Sequence, residues 1–157
     1  MPGYRGLKHS IWDRLLDPRP IAQERAEATP YHELERLKNE IRRDLEWLLN
    51  TRLADSKLHQ GMDQLKQSLV NYGLIDLNTL SLADDNDRKR LQASLQQALA
   101  HFEPRLRNVR IVPDETATGE VLRAIHFRIH ADLRTDPAEP ITFDTTLELG
   151  TRAFSVK

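Results

Sequence analysis

The chain of 157 residues contains no cysteine, which excludes disulfides, thiolate nucleophiles and cysteine metal ligands and suits a reducing compartment. Its six glycines are scattered, so no Gly-rich phosphate loop and no nucleophile elbow can be drawn from them. Aromatic residues number nine (two Trp, three Tyr, four Phe), too few to fill a core and also build sugar-stacking platforms. No stretch approaches the roughly 18 uncharged apolar residues of a membrane span, and none near Met1 has signal-peptide length. The sequence therefore predicts neither membrane insertion nor export by a cleaved signal. Neither sign of charge dominates: 23 basic against 24 acidic side chains leave a formal charge of −1. That balance gives no footprint for nucleic acid or an anionic membrane surface.

What is present divides the chain in two, an arm over 1–29 and a domain over 30–157. Half of the eight prolines lie in or at the edge of the arm: Pro2, Pro18, Pro20 and Pro30. Between them Ser10 can cap a short helix in which Ile11, Trp12, Leu15 and Leu16 share one face. Two helical turns are unstable alone, so this face must dock, either on the chain's own core or on a partner. From Pro30, capped by Thr29, the three- and four-residue steps of Leu34, Leu37, Ile41, Leu45 and Leu48 predict a long helix ending near Asn50. Asn50 suits a left-handed end there, and Arg52 could bond the last free carbonyls. Glu33, Glu35, Arg36, Lys38, Glu40, Arg42 and Arg43 read as its solvated face. A loop over Leu53–Gly61 and a short helical pattern through Met62, Leu65, Leu69 and Val70 follow, ended by Gly73. Leu74, Ile75, Leu77, Leu80 and Leu82 are too apolar for a free linker and should lie across the helices. An acid-capped helix then runs from Asp84 or Asp85 through Leu91, Leu95, Ala98 and Leu99 to Phe102.

At Phe102-Glu103-Pro104-Arg105-Leu106 the period changes from 3.6 to 2. Pro104 stops the helix, and in extended backbone Glu103 and Arg105 point the same way. The acid and the base can face each other, another part of the chain, or a partner. Beyond the corner, alternating residues predict three antiparallel strands: one around Val109 and Ile111 to Pro113, one over Val121–Leu133, one over Ile141–Leu149. Loops at Asp114–Glu120 and Asp136–Pro140 join them. The fold class is α+β, N-terminal helices packed on one face of a C-terminal antiparallel β-sheet. His126, His130, Asp132, Asp144 and Glu148 could converge on a strand face, but they match no zinc spacing. No catalytic residue, metal ligand or cofactor is assigned.

Four stretches in register resemble a known family: Ser10–Leu15, Asp44–Arg52, Ser68–Leu77 and Phe102–Leu106. They are similar to the gp25-like baseplate family, once labelled lysozyme-like, which includes a contractile-phage wedge protein and the TssE subunits of type VI secretion systems. Ile75 departs from the pattern, standing where proline is frequent. The resemblance implies a fold like the handshake domain of the contractile sheath and a structural role, with no enzyme activity. It implies a place in the baseplate wedge at the cytoplasmic face of the inner membrane, beside TssF, TssG and TssK, where sheath subunits TssB and TssC begin to polymerise. Glu103, Pro104 and Arg105 then match the family's hallmark motif and, with Ile11, Trp12, Leu15 and Leu16 of the arm, become the candidate partner-binding residues. Two rivals are a peptidoglycan-cleaving hydrolase, on the old label, and a small anti-adaptor binding a regulatory protein, on fold similarity.

Overall fold

The computed structural model describes residues 8, 10–16, 29–53, 68–81, 84–114 and 124–157. Outside them lie most of the expected spacer Arg19–Thr29, Met62, Leu65, Leu82, most of the Asp114–Glu120 loop, and Val121, Leu122 and Arg123.

Three helices and four strands are described: α1 (Ile11–Leu16), α2 (Pro30–Asn50), α3 (Asp85–Phe102), β1 (Leu106–Pro113), β2 (Ala124–Leu133), β3 (Pro140–Glu148) and β4 (Phe154–Val156). At the start of α2 the Thr29 hydroxyl accepts from the His32 N–H, and Pro30 occupies the first turn. Its predicted stripe is buried, every member 4% exposed or less, with Leu49 added. Each such side chain contributes about 1.5–3 kcal/mol of burial. Helix α2 ends at Asn50 as expected, but it is closed differently. Asn50 remains helical, Thr51 is the extended cap, and the Thr51 hydroxyl donates to the Trp47 carbonyl at 2.7 Å. Arg52 closes nothing with its side chain; its backbone pairs with Leu74. This close approach requires Gly73, at φ +116°, since a Cβ there would sit 2.4 Å from the Thr51 carbonyl oxygen.

The 69–71 stretch is a 3₁₀ turn capped by Ser68 and leaves Leu69 and Val70 exposed, so the helical period does not extend to them. Leu74, Leu77 and Leu80 are buried, as an apolar strap should be. Helix α3 starts on an Asp84 cap and buries Leu91, Leu95, Ala98 and Leu99 before stopping at Phe102.

The sheet is an antiparallel meander in the order β1-β2-β3-β4. Phe127, Ile129, Ala131, Leu133, Ile141, Phe143 and Leu147 line its inner face, where α3 packs along β1 and α2 along β4. The sheet thus has one strand more than expected. Phe154-Ser155-Val156 spans only 3 residues, too short to display a period. In β1 the alternation slips: Arg107 faces Asp132 but Arg110 faces His130, so one extra residue is accommodated. Asn108 takes the strain at φ 54°, and its amide donates to Asp132 Oδ2 at 2.7 Å. The bulge allows both Leu106 and Ile111 to be buried despite their odd separation.

Candidate functional site

The corner turns its two charges on one another. The Arg105 Nε donates to Glu103 Oε1 at 2.7 Å and the Nη2 to Oε2 at 2.5 Å. The Arg105 backbone N–H also donates to Glu103 Oε1. Pro104 makes this possible by ending α3 and holding Glu103 and Arg105 on the same side of a tight turn. Glu103 is only 3% exposed, whereas Pro104 faces solvent. Arg105 Nη2 reaches further, to Asp44 Oδ2 on α2 at 2.7 Å. The corner therefore ties the sheet to the middle of the long helix. Burial alone would lower the Arg105 value, but the bonds and charges of Glu103 and Asp44 outweigh it and raise it.

Asp44 continues the chain. Its Oδ1 accepts from Arg43 Nη2 at 3.1 Å, and Arg43 grips Asp13 of α1 with two parallel bonds of 2.8 and 2.7 Å. Asp13, Arg43, Asp44, Arg105 and Glu103 thus form one line of alternating charge from the arm to the corner. The Ser10 N–H donates to Glu40 Oε2 at 3.1 Å, and Glu40 also accepts from Arg36. Trp12 meets Trp47 edge to face at a centroid distance of 6.2 Å, and the Arg43 guanidinium lies 4.9 Å from the Trp47 ring centre. Tyr72 packs edge-on against Phe102 at 5.2 Å beside the corner. Burial, then the charges of Asp44 and Glu103, raise its phenol value.

Helix α1 is held by polar contacts while its apolar side chains stay outside. Ile11, Trp12, Leu15 and Leu16 are 51–75% exposed, so they do not enter the chain's own core. The expectation of a wholly solvated outer face on α2 is corrected by the same contacts: Glu40 is 4% exposed and Arg43 anchors the arm. Glu40, Arg43, Asp44 and Trp47 recur at i, i+3, i+4 and i+7. That spacing is a second helical stripe beside the leucines, and its periodicity was the available signal for a docking groove.

The Arg43 hydrogen bonds hold the Asp13 carboxyl below its ordinary value of 3.8, against an opposing effect of burial. An aspartate lowered in the folded state stabilises its contact at pH above the unfolded value and loses it as pH falls through the lowered value. The arm should accordingly stay docked at neutral pH and detach in strong acid, below pH 3.8. Fluorescence of the two tryptophans, the only ones in the chain, followed during acid titration checks this.

Both edges of the sheet are partly occupied. The Asn50 amide donates to the Phe154 carbonyl at 2.9 Å and accepts from its N–H at 2.8 Å, as a neighbouring strand would. On β1 the carbonyls of Ile111 and Val109 accept from Gln92 and Gln96 of α3 at 2.7 and 3.4 Å. His126 and His130 instead lie against Thr146 and Thr142 across the outer face of the sheet. Among the described residues no group of three or more His, Asp or Glu could hold a metal ion, and no helix is long and apolar enough to cross a membrane.

A family profile described as baseplate wedge protein gp25 matches residues 35–138, about two thirds of the chain. The matched span runs from the first turns of α2 through the corner and β2 to the turn before β3. No curated protein and no solved structure matches.

Proposed function

The chain belongs to the gp25 family of baseplate wedge proteins, and from this we propose that it is the subunit of a type VI secretion baseplate on which sheath polymerisation starts. The family's role is structural, in a baseplate. The match that carries the reading contains Asp44, Glu103, Pro104 and Arg105. In this proposal TssF, TssG and TssK are the wedge neighbours, TssB and TssC are the sheath subunits, and the site is the cytoplasmic face of the inner membrane. The chemistry is assembly, not turnover: both oxygens of the Glu103 carboxylate are occupied by Arg105, leaving neither turned to a substrate.

In this reading the wedge-facing residues are Ile11, Trp12, Leu15 and Leu16 on the apolar side of the arm and the corner of Glu103, Pro104 and Arg105, of which Pro104 is the exposed member. Large apolar side chains clustered in the open are the usual mark of a docking surface. Sheath strands would add to a sheet edge by main-chain bonds. The β1 edge is the better candidate, since β1 runs for 8 residues against 3 in β4 and so offers the longer row of main-chain groups. Strand addition at β1 then has to displace Gln92 and Gln96.

Removing residues 1–20 tests the arm. The truncated chain should lose binding to the purified wedge subunits while its melting temperature stays within a few degrees of the full chain. A large fall in melting temperature would instead make the arm part of the fold, and unchanged binding would remove it from the interface.

A further inference from the structure

The arm and the corner are linked through Asp44, which bonds to Arg105 of the corner and to Arg43, the residue that grips the arm. Asp44 accepts at Oδ1 from Arg43, which holds the arm through Asp13, and at Oδ2 from Arg105, which is held by Glu103. We propose that Asp44 is a positioning residue that couples arm docking to the state of the corner. Its carboxylate is shared between two cations, so whatever strengthens one claim weakens the other. When Arg105 leans on Asp44, Arg43 is left to Asp13 and the arm is held. When Arg105 is drawn away, Asp44 turns to Arg43, competes with Asp13, and the arm loosens.

The side chains are enclosed enough for this competition to be felt. Counting side-chain atoms alone, Arg105 is 12% exposed, Asp44 19% and Glu103 4%, so solvent screens the corner poorly. The arm end is weakly held by comparison, because Ile11, Leu15 and Leu16 contribute little burial. A small change in the Asp13–Arg43 pair therefore moves α1. The consequence for assembly rests on the reading of arm and corner as docking elements: a partner carboxylate that takes Arg105 would loosen the arm that carries the exposed apolar anchors and let it reorient toward that partner. The coupling itself belongs to the isolated chain and does not depend on that reading.

The test uses the full chain labelled with 5-fluorotryptophan, in which Trp12 and Trp47 give two fluorine resonances that report the docked and free arm. Glu103→Gln removes the negative charge and one acceptor oxygen that face Arg105, shifts its claim onto Asp44, and should raise the docked-to-free ratio roughly fivefold, a coupling usual within one ion-pair network. Arg105→Lys keeps the charge but loses the fork that spans Glu103 and Asp44, and should lower the ratio by a similar factor. In an Asp44→Asn background both responses should vanish. General loosening of the fold would move both variants the same way, so opposite signs identify the coupling. Equal responses with and without Asp44, no response to either variant, or two responses of one sign would each overturn it. Overturning it leaves the baseplate reading intact, which fails only if wedge and sheath subunits do not bind the wild-type chain.

Discussion

Glu103→Ala is expected to destabilise the isolated chain by about 3–5 kcal/mol, the cost of leaving one partner of a buried ion pair uncompensated. For a chain of this size that is a fall in melting temperature of about 6–20 °C. The expectation follows from geometry. Glu103 is 3% exposed and accepts three bonds from Arg105. Without its carboxylate the Arg105 guanidinium keeps only Asp44, while Arg105 Nη1 is already buried without an acceptor among the described residues. The loss is therefore larger than that of a surface ion pair, which contributes at most about 1 kcal/mol. Read from sequence alone, the motif could equally have faced a partner, in which case the same substitution would leave the monomer intact. Urea unfolding of the purified variant separates the two. An unchanged midpoint would mean that the pair acts across an interface, and assembly defects in this variant must be measured well below its melting temperature.

The parts of the fold set by short-range pattern were readable. The leucine stripe of α2, the stop before Pro104 and the two-residue alternation of β2 and β3 each follow from a local rule. The misses are places where distant residues decide. Asn50 does end α2, but it looked like a left-handed terminator because its own neighbours allow it; it stays helical, and its amide is spent on Phe154, 104 residues away. The slip in β1 depends on Asn108 adopting a left-handed backbone, which the alternation around Val109 and Ile111 conceals. Strand β4 is too short to have a period, and β3 decides its pairing.

The site was legible in its parts and not in its connection. Glu103, Pro104 and Arg105 were singled out by the break in period, and Ile11, Trp12, Leu15 and Leu16 by their common face. Nothing local joins them. Asp13 and Arg43 lie 30 residues apart, and Asp44 and Arg105 lie 61 apart. A charged residue on a helix reads as solvated until the tertiary fold supplies its partner. For Arg43 and Asp44 that partner comes from the arm on one side and the corner on the other. Sequence also left open whether the arm's anchors belong to the core; their exposure answers that.

The second large effect is all-or-none. Nucleated polymerisation stalls when its seed is missing, because early sheath subunits cannot repay the entropy of ordering before neighbours are in place. If the chain is the seed proposed above, a baseplate that lacks it should leave its sheath subunits unassembled even when every other component is abundant. The direct measurement is electron microscopy of purified wedge and sheath subunits mixed with and without the chain, counting sheaths that grow from baseplates. The seeding role predicts full-length sheaths only when the chain is present; full-length sheaths growing equally well from baseplates without it would contradict that role.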